Sequence, residues 1–223
     1  MKKLILLDSF TVWLYYPTLI KWKIAQRDLL DPTEKDFLIS TINSSILIDL
    51  TTFSEGIIYE IQSTVFFDRY DSNDEFQFRT FKYFDDKLNN STWSNYIETF
   101  ELILGEKLST KIESELWKSI SMLFNFRNSL VHGKEIEIHY YEENGKLFAE
   151  SPKKLKNVFQ YLKEKKLIDL TFYPNLNSVD LLNNLVVDHF FETTLEFIKK
   201  LFEILPESEV GELKINFDEC LKF

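Results

Sequence analysis

The sequence predicts a mainly α-helical protein that folds as an antiparallel helical bundle. Glycine and proline are scarce, with five of each among 223 residues, which favours long helices over a sandwich of many short strands. Hydrophobic residues make up 44% of the chain and include 21 Phe, enough to build one sizeable core. We therefore expect a single domain over residues 1–223, with residues 1–30 as an N-terminal extension.

The clearest helical signal lies between residues 39 and 65. Apolar side chains recur there every three or four positions, as on one face of a helix; they are Ile39, Ile42, Ile46, Leu50, Phe53, Ile57, Ile61 and Val65. The preceding Asp31-Pro32-Thr33-Glu34 has the capping acid, the early Pro and the first-turn Glu of a helix start. A helix of about eight turns needs neighbours to cover its apolar face, which implies a bundle.

Local patterns predict the remaining elements. Residues 1–30 are expected to hold short helical pieces interrupted by Pro17. A polar loop is expected over 68–75, followed by a short helix over 76–89 and a helix capped by Ser91. The capping box Thr110-Lys111-Ile112-Glu113 is expected to open a further helix that runs to about Val131. After it we expect a β-hairpin over 135–149 with an Asn144-Gly145 turn, a basic helix near 152–166, and a long helix over 178–205. The inner face of that last helix is expected to carry Leu182, Leu185, His189, Phe190, Thr193, Phe197 and Leu201.

The charge of the chain is strongly acidic overall but basic in one segment. The formal net charge is −10, so the field of the whole molecule does not favour nucleic acid or anionic membranes. Residues 153–166, however, hold six Lys against one Glu. This segment is either a solvated helix face or a local basic platform for RNA, for which Lys153, Lys154 and Lys156 are the candidate contacts.

Targeting and cofactor signals are few. The apolar run after Met1 stops at Asp8, too early for a signal peptide, and no stretch approaches the ~20 apolar residues of a membrane span. A single cysteine, Cys220, excludes an intrachain disulfide and a Cys-based zinc site. We expect a cytoplasmic protein without membrane contact, metal or cofactor.

The residues most suited to chemistry lie at the end of the helix predicted to reach Val131. Arg127 occupies the next place in the apolar series Ile112, Leu116, Ile120 and Leu123, and burying a guanidinium is costly unless it meets an anion, an acid or an open cleft. His132 follows at the helix end and has a side chain suited to moving protons near neutrality. One permanent cation and one general acid–base are the minimum for attack at a phosphodiester.

The segment Leu123-Phe124-Asn125-Phe126-Arg127-Asn128-Ser129-Leu130-Val131-His132-Gly133 resembles the R-N-x-x-x-H-G form of the HEPN-domain motif. HEPN domains are helical bundles that commonly dimerise, and many are metal-independent endoribonucleases of toxin–antitoxin, abortive-infection and CRISPR-associated systems. The resemblance implies that Arg127 and His132 are the catalytic pair and that Asn128 is their supporting polar residue. It also implies an RNA substrate, a homodimer through this helix end, and an antitoxin or defence-system partner. The hairpin predicted over 135–149 would then be an insertion in the bundle.

One position departs from this pattern. HEPN toxins paired with a nucleotidyltransferase antitoxin usually have a modifiable Tyr two residues after the His, where this chain has Lys134. That departure argues against regulation by such a modification.

The mechanism implied by the resemblance needs two copies of the chain. Five residues of α-helix rotate by about 500°, which leaves Arg127 and His132 about 140° apart, so we expect two helix ends to meet at a two-fold axis. One His would deprotonate a ribose 2′-OH, Arg127 from each chain would stabilise the developing negative charge, and the second His would protonate the leaving 5′-oxygen. DNA lacks the 2′-OH and should not be cleaved.

Other interpretations of the same residues stay open. Arg127 can pair with an acid of the bundle such as Asp49, Glu55 or Glu60, while His132 caps its helix. In that case the chain is a non-catalytic HEPN-like scaffold that binds a protein or nucleotide partner. His189 is expected to be a core histidine with a satisfied hydrogen bond.

Overall fold

The computed structural model describes residues 12–31, 36–68, 79–80, 82–83, 86, 92–132, 139–144, 146–150, 155–168 and 181–222. Its elements are a 3₁₀ helix at Val12–Tyr15, α1 at Tyr16–Asp28, α2 at Asp36–Asp68, α3 at Trp93–Leu104, α4 at Leu108–Lys111, α5 at Ser114–Val131, β1 at His139–Glu143, β2 at Lys146–Glu150, α6 at Lys156–Glu164, α7 at Asn184–Glu203 and α8 at Glu207–Cys220. These residues form a helical bundle, as predicted. The predicted helix start at 32–35, nearly all of the loop at 68–75 and the Ser91 cap lie outside the described residues.

Helix α2 is the centre of the bundle. It packs against α1, α3, α5, α7 and α8, and its predicted apolar face is confirmed, since Ile46, Leu50, Phe53, Ile57, Ile61 and Val65 are all at most 1% exposed. The 3₁₀ helix approaches α2 so closely that a Cβ on Gly56 would lie 2.9 Å from the Cβ of Trp13. A larger residue at position 56 would therefore push the two elements apart.

The described part of the N-terminal region is helical from Val12 to Asp28, and Pro17 does not interrupt it. Pro17 lies in the first turn of α1, where its missing N–H has no helical partner to lose. Near the other end of α1, the side chain of Arg27 is only 2% exposed, and its Nη1 lies 2.9 Å from Asp188 Oδ1 of α7. The same nitrogen donates to Asn43 Oδ1 of α2 at 3.4 Å, so Arg27 ties three helices together.

The helix predicted to open at Thr110 opens instead at Ser114. Ile112 is extended, with φ −104° and ψ 140°, and only 4% exposed, so the chain breaks there to bury its side chain. Thr110 lies in the short helix α4, and its hydroxyl donates to the Lys107 carbonyl at 2.7 Å instead of capping α5. The capping-box interpretation was therefore wrong.

The C-terminal region contains one helix more than the sequence predicted. The predicted helix over 178–205 corresponds to α7, which begins only at Asn184 because Asn183 caps it by accepting a hydrogen bond from Val186 N at 3.0 Å. Leu185 was wrongly assigned to the inner face and is 63% exposed. Helix α8 follows Pro206 and buries Val210 and Phe217.

Strands β1 and β2 form an antiparallel hairpin. They pair in a register that sets His139 opposite Glu150 and Glu143 opposite Lys146. Asn144 in the turn has φ 54°, the left-handed conformation that an Asn-Gly turn requires at this position. The principal contacts of this hairpin in the described residues are between its own strands.

One stretch of α2, Phe37–Phe66, is long and apolar enough to cross a membrane by length and composition, so the expectation that no stretch approaches a membrane span was wrong; half of the stretch is buried inside the protein. The buried part includes polar residues, since Asn43, Thr51, Ser54 and Gln62 are all fully buried. Each of these residues has at least one hydrogen-bond partner within the bundle, as the Asn43 amide does on the Leu182 carbonyl at 2.6 Å, although Gln62 Oε1 has none among the described residues. This pattern is typical of a core helix, and the cytoplasmic location stays a prediction.

Candidate functional site

The end of α5 presents the predicted site residues at the protein surface. Leu116, Ile120 and Leu123 anchor the helix in the core, and Arg127 follows them along the same face with its side chain 27% exposed. Asn128 and His132 are exposed. His132 caps the C-terminus of α5 with φ −76° and ψ 0°, and its backbone N–H donates to the Leu130 carbonyl.

Arg127 makes few contacts for a guanidinium with five N–H donors. Its Nη1 donates to Asn128 Oδ1 at 3.1 Å, and its Nη2 lies 3.6 Å from Glu55 Oε2 of α2, which is too long for a hydrogen bond. Its Nε is buried and has no hydrogen-bond partner in the described part of the chain. The expectation that Arg127 can pair with an acid of the bundle is confirmed for Glu55, whereas Asp49 pairs with Lys23.

Glu55 belongs to a polar layer between α2, α3 and α5. Burial raises the pKa of Glu55, and the charge of Arg127 partly opposes that rise. Burial, followed by the charge of Glu55 and the nearby Tyr59, raises the pKa of Tyr96 on α3 to about 12. Gln62 donates to the Tyr96 carbonyl at 2.6 Å, while its own Oε1 is buried without a partner among the described residues.

The sequence contained a partial signal for this layer. Glu55, Tyr59 and Gln62 are spaced by four and three residues, which places them on one face of α2. Sequence reasoning named Glu55 only as one of three possible partners of Arg127, and it missed Tyr96 and Gln62 because nothing local links α3 to this face.

The structure does not bring Arg127 and His132 of one chain onto the same face. Helix α5 continues through Val131, and His132 keeps a right-handed helical conformation. The two side chains therefore leave the helix about 140° apart and roughly 7.5 Å apart along its axis. A site that uses both residues needs a second surface to complete it.

The basic helix α6 is partly neutralised by neighbouring acids. Lys165 Nζ lies 2.9 Å from Glu115 Oε2, and Lys118 of α5 pairs with Glu164 of α6 at the same distance. Lys156 is exposed at the first residue of α6, while Lys153 and Lys154 lie outside the described residues. These ion pairs favour the solvated-face interpretation over a continuous basic platform.

His189 lies in a partly buried hydrogen-bond chain, as expected for a core histidine with a satisfied hydrogen bond. Its Nε2 is 2.5 Å from the hydroxyl of Tyr161, which is 2.6 Å from Ser119 Oγ. Ser119 gives its only hydroxyl proton to the Glu115 carbonyl at 2.8 Å, so Tyr161 donates to Ser119 and His189 Nε2 donates to Tyr161. Burial and then the charge of Lys165 lower the pKa of His189, against the opposing charge of Glu192.

This lowered pKa predicts a stability that falls in mild acid. The unfolded chain takes up a proton at the usual histidine pKa, above the folded value, so the free energy of unfolding decreases as the pH falls below about 6.5. His189→Gln keeps an N–H donor but cannot titrate. We expect urea denaturation at about pH 7.5 and about pH 5.5 to show a smaller loss of stability in this variant; an equal loss in both proteins would contradict the assignment.

Comparison with known proteins supplies no relative for this chain. No family model, no curated protein and no solved structure matches it. Among the described residues, no group of three or more His, Cys, Asp or Glu is placed to hold a metal ion. The fold and the candidate site therefore define a mainly helical protein in which the end of α5 is polar and accessible at the surface.

Proposed function

We propose that this protein is a metal-independent endoribonuclease of HEPN type that acts as a toxin or phage-defence effector. In this proposal the bundle is HEPN-like, the β1–β2 hairpin is an insertion in it, and Arg127 and His132 are the catalytic pair with Asn128 beside them. The observation that carries the proposal is the partly exposed guanidinium of Arg127 on α5, followed by the exposed His132 at the end of that helix. A cation and a general acid–base at one accessible helix end suit cleavage of a phosphodiester.

The orientation of the two side chains supports a site shared by two protomers. Because Arg127 and His132 leave α5 about 140° apart, one α5 end cannot direct both at a single phosphate. In a dimer with a two-fold axis beside this helix end, the second chain supplies another Arg127 and another His132 close by, so no further catalytic residues are needed. Val131 lies between them in the last turn and is 49% exposed, an apolar side chain that such a contact would cover.

The proposed reaction is transfer of the phosphodiester to the neighbouring ribose oxygen. His132 of one protomer accepts the proton of the 2′-OH as that oxygen attacks phosphorus. Arg127 stabilises the negative charge that develops on the phosphoryl oxygens, and His132 of the other protomer protonates the departing 5′-oxygen. The products are a 2′,3′-cyclic phosphate and a free 5′-hydroxyl, and DNA is not a substrate.

The test is cleavage of end-labelled RNA by the purified full chain in EDTA. We expect cleavage to persist without divalent cations and to leave 2′,3′-cyclic phosphate ends, while a DNA strand of the same sequence stays intact. Failure to cleave several classes of RNA, by a protein shown to be folded and dimeric, would count against the proposal.

The contact between Arg127 and Glu55 favours a second candidate, a non-catalytic helical scaffold that uses the same surface for a protein or nucleotide partner. An arginine paired with an acid of its own bundle at 3.6 Å already has a structural role. The two candidate functions predict different effects of overexpression on the growth of a host cell. An endoribonuclease should inhibit growth and lose that effect in His132→Ala, whereas a scaffold should show neither result.

A further inference from the structure

The guanidinium of Arg127 has N–H donors that could bind an anion. Only one of its five N–H donors makes a hydrogen bond in the described part of the chain, to Asn128. Its charge is balanced by Glu55 at 3.6 Å, a contact without the paired hydrogen bonds of a tight arginine–carboxylate bridge. An oxyanion that offered two acceptors at hydrogen-bond distance would hold Arg127 better than Glu55 does.

Glu55 in turn depends on Arg127. The titratable groups shown to interact with it electrostatically are Arg127 of α5 and Tyr96 of α3, with Tyr59 nearby on α2 itself. A tyrosine side chain never carries a positive charge, so Arg127 is the cation that faces Glu55 among the described residues. With its side chain 20% exposed, Glu55 is buried enough for its charge to need compensation and open enough to exchange a proton with solvent.

We propose that Glu55 is the internal counter-ion of an oxyanion site at Arg127, and that an incoming phosphodiester displaces it and causes its carboxylate to take up a proton. This inference rests on the phosphate-binding role of Arg127 in the proposed function, but not on catalysis. Once an anion engages the guanidinium, Glu55 loses its compensating cation and faces a like charge, and both effects favour its protonated form. Glu55 thus weakens anion binding at neutral pH and makes that binding depend on pH.

Anion binding at Arg127 and protonation of Glu55 affect each other reciprocally, so the proposal can be tested by measuring either one. If protonation of Glu55 strengthens anion binding, anion binding must raise the pKa of Glu55 by the same coupling. Sulfate is a suitable probe because it mimics phosphate geometry but keeps its charge across the relevant pH range. Sodium chloride at matched ionic strength controls for screening.

The experiment is a sulfate titration of the full chain, followed by NMR at about pH 7.5 and about pH 5.5. All proteins carry His132→Gln, so that this histidine makes no contribution to sulfate binding at either pH. We expect the Glu55-containing protein to bind sulfate at least about fivefold more tightly at the lower pH, the lower end of usual coupling strengths. Glu55→Gln should bind with the tighter affinity at both pH values, and Arg127→Gln should lose the site.

Direct titration of the Glu55 carboxyl carbon gives a second measurement that needs no Glu55 variant to fold as the wild type does. Its pKa is expected to be higher in saturating sulfate than in chloride. An unchanged pKa, equal sulfate affinity in Glu55→Gln and its parent at both pH values, or full binding by Arg127→Gln would each overturn the inference. RNA cleavage without pH-linked sulfate binding would refute only the inference, and linked binding without cleavage would refute only the ribonuclease.

Discussion

Replacement of His132 by alanine is expected to lower the rate of RNA cleavage by at least about a hundredfold, the usual contribution of a general acid–base. The side chain is exposed at the end of α5, so its removal should leave the fold intact. Arg127→Ala should cause a loss of about 10² to 10³, as expected for a group that stabilises developing charge. Single-turnover rates with end-labelled RNA in EDTA measure both effects.

The hairpin supplies a matched control for this experiment. His139 is likewise an exposed histidine, and His139→Ala should cleave RNA at the wild-type rate. Circular dichroism and size exclusion should show that all three variants keep their helix content and oligomeric state. Cleavage that persists at the wild-type rate in His132→Ala would remove His132 from the site and point to a contaminating nuclease or to another catalytic group.

Phe53→Ala is expected to cause the largest loss of stability among the changes considered, about 3–5 kcal/mol. The ring of Phe53 on α2 is 1% exposed. It stacks on Phe217 of α8 at a centroid distance of 6.2 Å and contacts Trp13 at 6.4 Å. Its removal leaves a cavity where α2, α8 and the 3₁₀ helix meet, and should lower the melting temperature by roughly 10 °C.

Phe37 provides the comparison on the same helix. It is the same residue type but 82% exposed, so Phe37→Ala should change the free energy of unfolding by no more than about 0.5 kcal/mol. Thermal and urea denaturation of the two variants, followed by circular dichroism, measure the difference. Similar stabilities of Phe53→Ala and Phe37→Ala would show that α8 and the 3₁₀ helix are not docked on α2 as described.

The sequence predicted those elements whose signal is contained within one segment. The three-to-four-residue spacing from Ile39 to Val65 corresponds closely to α2, because the periodicity of an amphipathic helix depends only on the residues within that helix. The turn predicted at Asn144 lies between β1 and β2, which pair as a hairpin, whereas the alternating residues Ile136 and Ile138 lie outside the described residues. The ends of helices were less predictable, as at Ile112, whose burial in an extended conformation overrides a capping pattern.

For the candidate site as well, the sequence identified residues with a local signal but not the contacts between helices. Arg127 and His132 were singled out because an arginine in an apolar series and a histidine at a helix end are local anomalies, and Asn128 was added only because of the resemblance to the HEPN motif. The layer that contacts Arg127 was not found, since Tyr96 comes from α3 and its relation to Glu55 depends on how two helices cross. Likewise, the sequence predicted that His189 would have a hydrogen-bond partner, but not that this partner would be Tyr161 of α6.

By itself, the sequence determined that this protein is mainly helical, that α2 needs neighbours on its apolar face, and that the end of α5 carries a cation and a histidine. Only the tertiary structure decided that Glu55, and not Asp49 or Glu60, faces Arg127. All three acids lie on α2, but Glu55 leaves the helix about 120° away from Asp49 and about 140° away from Glu60, since each residue rotates by about 100°. Which of them meets α5 depends on the rotation and register of two packed helices, and these are set by side chains far apart in the chain.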